Sequence, residues 1–334
     1  MRYSIIIPSF NEEKFIATCL NSLLDCKTPP NLYEIIVIDG ESSDDTKKIV
    51  NSYIKNNKNI HLINNPKIKQ VFALNMGIKA AKGEYIIRCD AHSKYPQNYA
   101  EKLVEFLCES GEKILNVGTS YTTTNKQNGI FAASIKTAMS NPFGVGISHR
   151  SIEIVKPTEV DTVLFGAWRK DTFELVGEFD EDFIRGQDYE HNIRIKKAGG
   201  RVLQIPSSPF EYSTRDNLQK FSRMIFQYAY CKPVILKKHG TIPPIRAIVP
   251  SAFLINLPLS LFSTTALSLT GIYFITSALI SARSVFKKEI KLYEHPLLMI
   301  TFFTGHISHG AGTIKGLINT FISKKTTTNF EHTR

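Results

Sequence analysis

Within about the first ninety residues, four short apolar runs alternate with three stretches of helical spacing. The runs are Tyr3–Ile7, Tyr33–Ile38, Ile60–Ile63 and Tyr85–Cys89. Short, nearly continuous apolar runs rich in β-branched residues mark strands buried on both faces. Between them, Phe15, Ile16, Cys19, Leu20, Leu23 and Leu24 repeat at helical spacing, as do Ile49, Val50 and Tyr53. Val71–Ala81 reads as a third helix, ended by Gly83. Ser43 or Asp44 is expected to cap the second. The order β-α-β-α-β-α-β predicts an α/β, doubly wound, mostly parallel sheet with right-handed crossovers. Ligands of such sheets bind beyond the C-terminal strand ends. The polar residues there are Asn11, Asp39 and Asp90, expected on one edge of the sheet. Three convergent polar loops fit a nucleotide pocket; three unrelated surface turns are the alternative.

Two stretches carry chemistry. In Asp90-Ala91-His92, a carboxylate and an imidazole lie two residues apart and project to one side of an extended chain. Such a pair suits a divalent cation with coordination positions left open. A plain turn with a surface His92 is the alternative. The second stretch is Gly186-Gln187-Asp188-Tyr189-Glu190. A glycine turn followed by Asp188 puts a carboxylate at a helix start, where the dipole favours its ionised form. A general base for a hydroxyl needs such a group; a simple N-cap is the alternative. Elsewhere, Ala100–Cys108 reads as a helix and Ile114–Thr119 and Arg201–Pro206 as strands, while Val160–Trp168 carries β-branched and aromatic residues before a helix that starts over Arg169–Phe173. Thr119–Ile130 reads as a loop, as does the glycine-bearing stretch Asn141–Gly146 with His149 and Arg150.

The formal net charge of +11 over 334 residues suits a phosphorylated substrate or an anionic membrane face. No nucleic-acid motif accompanies it, so nucleic acid is not an expected partner. The five cysteines are scattered without CxxC spacing, which reads as reduced, buried thiols. Met1-Arg2-Tyr3-Ser4 runs straight into a strand without a leader pattern. Residues 247–282 carry no formal charge over 36 positions, and both flanks are basic. Two short membrane spans or a re-entrant hairpin with both ends in the cytoplasm fit this best, against a buried soluble hairpin. A third apolar segment, Pro296–Phe321, spans, lies in the interface or packs on the hairpin. The basic, aromatic helix around Lys220–Lys232 suits a membrane interface. These shifts predict a catalytic domain over 1–240, a membrane-associated helical region over 241–323 and a disordered tail over 324–334.

Taken together, Ile5-Ile6-Ile7-Pro8-Ser9-Phe10-Asn11-Glu12, Val37-Ile38-Asp39-Gly40 with Ser42-Ser43-Asp44-Asp45-Thr46, Arg88-Cys89-Asp90-Ala91-His92, Gly177-Glu178-Phe179-Asp180-Glu181 and Gln187-Asp188-Tyr189-Glu190 form a specific ordered set. It resembles family 2 inverting glycosyltransferases with the GT-A fold, of the bacterial exopolysaccharide and succinoglycan-biosynthesis type. The resemblance implies a nucleotide-sugar donor, UDP-linked, and a lipid-linked (polyprenyl-type) or growing glycan acceptor at the inner membrane, with the catalytic domain facing the cytoplasm. It implies Pro8, Ser9, Asn11, Glu12, Asp39, Ser42, Lys69, Arg88 and Asp90 in donor binding, and Asp90 with His92 on Mn2+ or Mg2+. His92 stands where the family's motif carries a second carboxylate, and imidazole suits manganese better. Asp188 matches the catalytic aspartate. Gly144, Gly146, Trp168, Gln187, Glu190 and Arg215 fall in acceptor or secondary positions. Lys67, Lys69 and Arg88 are candidates to neutralise the leaving diphosphate. A sugar-phosphate nucleotidylyltransferase would carry a glycine-rich phosphate loop after the first strand, and Pro8–Glu13 has no glycine. A non-catalytic glycan-binding module would have no use for both Asp90-Ala91-His92 and Asp188.

Overall fold

The computed structural model describes residues 1–124, 129–144, 154–241 and 247–323. The four apolar runs become β1 (Tyr3–Ser9), β2 (Tyr33–Asp39), β3 (Ile60–Asn64) and β4 (Tyr85–Arg88). The intervening helices are α1 (Ile16–Leu24), α2 (Thr46–Asn56) and α3 (Gln70–Ala80). The chain continues through β5 (Ser93–Lys94), α4 (Tyr99–Glu109), β6 (Ile114–Gly118), β7 (Tyr121–Thr124) and α5 (Ala132–Ser140). Then come β8 (Thr158–Glu159), β9 (Ala167–Arg169), α6 (Thr172–Val176), α7 (Gln187–Lys197), β10 (Arg201–Gln204) and β11 (Phe210–Ser213). Four long or apolar helices follow: α8 (Leu218–His239), α9 (Val249–Leu259), α10 (Thr264–Phe286) and α11 (His295–Leu317).

The main sheet has the order β3-β2-β1-β4-β9-β6-β10-β8. β3, β2, β1 and β4 run parallel, and β9 enters antiparallel between β4 and β6. A small sheet has the order β5-β11-β7. The two faces of the parallel strands feed different cores. Ile5, Ile7, Ile35, Val37 and Ile87 pack with Ile16, Leu20, Leu103 and Leu107 of α1 and α4. Ile6, Ile36, Ile38 and Ile86 pack with Val71, Leu74 and Ile78 of α3 and Ile195 of α7. Burial on both faces is why these strands read as unbroken apolar runs.

By packing, the described chain forms two units. The first comprises 1–122 and 154–212, and the second 123–124, 129–144, 213–241 and 247–323. In the second, Ile135 of α5 packs on Phe221, Met224 and Ile225 of α8, and Ala138 on Leu298 and Phe302 of α11. α9 and α10 form a hairpin, with Asn256 Nδ2 donating to Ala266 O and Thr270 Oγ1, both at 3.0 Å.

Several local expectations are corrected. Thr119–Ile130 holds a strand, β7, whose alternating burial the polar threonines concealed. In the β-branched and aromatic stretch Val160–Trp168, only Ala167 and Trp168 pair as strand, in β9, and Phe165 turns the chain at φ 62°. Gly83 does not cap α3, which ends at Ala80 with Ala81 as its C-cap in extended backbone. A Cβ at Gly83 would stand 2.5 Å from the Ser4 nitrogen, so a close approach to β1 requires glycine there. The N-cap position of α2 is Asp45, although the Asp44 carboxylate accepts the Thr46 N–H at 3.0 Å. Cys108 is exposed and Cys26 half-buried, so not all the thiols are buried. Of the two expected spans, only α10 is long and apolar enough to cross a membrane among the described residues; α9 is shorter. Pro296–Phe321 becomes α11 and a following π turn, with Leu298, Phe302, Gly305 and Gly312 buried. Gly146, His149, Arg150 and the tail 324–334 lie outside the described residues.

Candidate active site

Parallel pairing puts the ends of β1, β2 and β4 on one edge, with Ser9 opposite Asp39 and Ile6 opposite Arg88. The first two loops are laced together. Asn11, at φ 53°, donates its N–H to Ser42 Oγ at 2.8 Å and accepts the Ser43 N–H at 2.9 Å. The Glu12 N–H donates to Thr46 Oγ1 at 2.8 Å. Asp39 is fully buried, and its carboxylate accepts from the Ser42 N–H at 2.9 Å and the Ser42 hydroxyl at 2.6 Å. Lys47 Nζ stands 3.4 Å from it. Pro8 and Ser9 are buried in β1, and Lys69 occupies the N-cap position of α3. Lys67 leans over the Phe72 ring and pairs with Glu181 at 3.8 Å.

At the end of β4 the chain turns, and Tyr95 Oη accepts the Asp90 N–H at 2.7 Å. The two Asp90 oxygens serve different partners. Oδ1 meets Arg88 Nη2 at 3.4 Å and accepts from Gln70 Nε2 at 3.3 Å. Oδ2 lies 3.9 Å from His92 Nε2. The other His92 nitrogen, Nδ1, meets Glu12 Oε1 at 3.2 Å, and the ring stands edge-on to Tyr212. His92 is therefore largely covered and paired rather than displayed on a surface turn. Two ligands each about 2.1 Å from one ion stand about 3 to 4 Å apart. The Asp90 Oδ2–His92 Nε2 separation and the carboxylate–imidazole pairing fit a borderline divalent ion on that side. No group of three or more His, Cys, Asp or Glu side chains with metal-binding geometry occurs among the described residues. A cation held here would complete its shell with ligands from outside the protein.

Asp188 enters from α7. Gly186, at φ 77°, occupies the N-cap position, so Asp188 lies in the first turn and is not the cap residue. Its Oδ1 receives Nη1 of Arg88, a residue only 3% exposed. Gln187 is buried and donates to Gln70 Oε1 at 3.0 Å. Glu190 faces the other way. Fully buried, it takes a fork from Arg194 at 2.9 to 3.1 Å, and Arg194 also donates to the Glu178 carbonyl. Trp168 belongs to an aromatic cluster with Phe173, Phe179 and His191, and is a core residue rather than an acceptor contact. Gly144 and Arg215 belong to the second unit. The first unit thus joins Asn11, Glu12, Asp39, Ser42, Arg88, Asp90, His92, Gln187 and Asp188, while Trp168 and Glu190 serve the core. Sequence reasoning missed Gln70, Tyr95 and Phe165, which hold this cluster; Gln70 and Phe165 are revealed only by long-range pairings, and Tyr95 by the turn that brings it back to Asp90.

Residues 4–143 match the model of glycosyl transferase family 2. Over 326 residues the chain is 33% identical to a dolichyl N-acetylglucosaminyl phosphate diacetamido-dideoxy-glucuronosyltransferase of Methanococcus voltae, covering 94% of this chain and 97% of that protein. It is 28% identical to the succinoglycan biosynthesis protein ExoA of Rhizobium meliloti, over 74% of each chain. A mannosyltransferase of Pyrobaculum calidifontis, solved with GDP-Man and Mn2+, superposes with a TM-score of 0.62 at 17% identity, over 97% of this chain and 88% of that one. That likeness concerns the fold. With the strand-edge cluster and a relative alike over nearly its whole length, the chain belongs to glycosyl transferase family 2.

Proposed function

We propose that the chain is an inverting, metal-assisted glycosyltransferase that moves a sugar from a UDP-linked donor to a lipid-linked or growing glycan acceptor in surface-polysaccharide synthesis. The observation that carries this reading is the meeting of the Asp90 and Asp188 carboxylates on one buried guanidinium, at the strand edge where sheets of this kind bind ligands. The Methanococcus relative is named for a lipid-phosphate-linked sugar acceptor, which supports the same class here. In this reading Asn11, Glu12, Asp39 and Ser42 frame the nucleotide, and Lys69 faces its phosphates. Asp90 and His92 hold a divalent ion, which when bound supplies positive charge to the departing diphosphate. Asp188 takes the acceptor hydroxyl proton as that oxygen bonds to the anomeric carbon. The bond from that carbon to the donor phosphate breaks, and its electron pair leaves with the nucleoside diphosphate. One displacement inverts the centre, and no nucleophilic carboxylate is required. The long apolar α10 and the basic residues Arg283, Lys287, Lys288 and Lys291 near its end support attachment to the cytoplasmic face of a membrane.

The test is Asp188→Asn, assayed by transfer and UDP binding. Transfer is expected to fall roughly 10² to 10⁴-fold, the usual worth of a general base, while UDP affinity and Tm stay near wild type. Near-normal transfer overturns the assignment. In the same assay a chelator is expected to stop transfer and Mn2+ to restore it; full activity in excess chelator removes the metal from the reaction.

A further inference from the structure

Arg88 ends β4, and three features hold it in place. Its N–H donates to the Gly166 carbonyl at 3.0 Å. Its guanidinium lies 5.1 Å from the centroid of the Phe165 ring. Phe165 takes up a left-handed backbone at φ 62° while its side chain stays buried. Bulky residues rarely accept that conformation, and where they do the surroundings enforce it, often at functional sites. From this seat Nη1 reaches Asp188 and Nη2 reaches Asp90. A second chain of hydrogen bonds, Gln187 to Gln70 to Asp90, arrives at the same first turn of α7. A rigid planar fork can hold two carboxylates at a set angle, whereas a lysine ammonium is a single point on a flexible stem. Both terminal nitrogens of Arg88 are directed at the protein's own carboxylates.

We infer that Arg88 is a positioning residue that fixes the Asp188 carboxylate against Asp90, and is not the cation that receives the donor diphosphate. The inference rests on the reading of Asp188 as the base. In this arrangement the base is oriented by the strand end that anchors the donor. Its geometry then depends on β4 and Phe165 as much as on α7.

The experiment uses the full chain and four variants: Arg88→Gln, Arg88→Lys, Asp188→Asn and the double variant Arg88→Gln/Asp188→Asn. It measures kcat and KM with a UDP-sugar that the wild type turns over, the affinity for UDP in Mn2+, and Tm. Arg88→Gln and Arg88→Lys are expected to lower kcat about a hundredfold, the effect of a misplaced catalytic group, with UDP affinity changed less than about threefold. Added to Asp188→Asn, Arg88→Gln is expected to change kcat by less than about threefold, because the two act as one unit. A loss of UDP affinity of about tenfold or more with kcat near wild type overturns the inference, as does full activity of Arg88→Lys or simple additivity in the double variant. Arg88→Gln leaves the buried Asp90 and the partly exposed Asp188 without their guanidinium, so Tm shows whether it folds; Arg88→Lys keeps the charge and carries the test if it does not. Should Asp188→Asn alone retain transfer, the base assignment fails by itself. Should Asp188→Asn abolish transfer while Arg88→Gln only weakens UDP, the positioning role alone fails.

Discussion

Asp90 divides its two oxygens, one toward Arg88 and Gln70 and the other toward His92. Such a residue was legible in the sequence because a carboxylate that ends an apolar run stands out. Asp188 was legible for a similar reason, as an acid directly after a glycine turn. Their partners were not. Glu12 and His92 lie 80 positions apart and Gln70 and Gln187 lie 117 apart, separations that no local pattern encodes. Trp168 came from the resemblance alone, and its burial among Phe173, Phe179 and His191 was not legible because β9 has only three residues, too few for alternation to show which side faces the core. His191, beside it, bears a prediction. Burial among Trp168, Phe173 and Phe179, aided by the Arg194 charge, pushes its imidazole down to about 3. In the unfolded chain it titrates near 6.5. Between those values the unfolded state binds a proton that the folded state refuses. This contribution to stability is whole above about pH 6.5 and shrinks as pH falls toward 3, by up to about 1.4 kcal/mol per pH unit. Denaturant melts at pH 7 and pH 4.5 check it. His191→Phe is expected to flatten the difference, and an unchanged pH slope removes His191 as its source.

The elements that sequence located best were those with the simplest burial. β1 and β2 bury every residue, and their bounds are recovered to within two positions. β5, β8 and β9 have two or three residues and no period to detect, and they form because longer neighbours offer them an edge. α11 illustrates a different kind of information. Its Gly305, Gly310, Gly312 and Gly316 look like helix weakeners, each costing about 1 kcal/mol relative to alanine. Their use is proximity: a Cβ at Gly312 would stand 2.3 Å from the Phe226 carbonyl of α8, and one at Gly316 would stand 2.6 Å from that of Tyr230. Gly312→Val is therefore expected to push the two helices apart and cost about 1 to 3 kcal/mol or more, through overpacking. A melt in detergent measures it. A Tm equal to wild type would mean that α11 is not seated against α8 as described.

For the molecule as a whole, α10 is 23 residues long, roughly 35 Å at 1.5 Å per residue, against a hydrocarbon core of about 30 Å. It leaves Leu267, Leu269, Ile272, Ile275 and Leu279 exposed, with Lys287, Lys288 and Lys291 just beyond its end. The protein is expected to sediment with membranes, to resist a high-salt wash and to be released by detergent. Recovery in the supernatant without detergent would instead favour a buried hairpin or a self-associating surface. The way the two units share the chain has a further consequence, one of timing. α5 emerges early in synthesis, yet Ile135 is covered by Phe221 and Met224, and Ala138 by Leu298. A ribosome adding about 5 to 20 residues per second must make roughly ninety more before α8 exists, on the order of 5 to 20 s. Throughout that interval the apolar side of α5 has no native partner. Translation speed over residues 141–239 is thus expected to influence how much chain reaches the folded state.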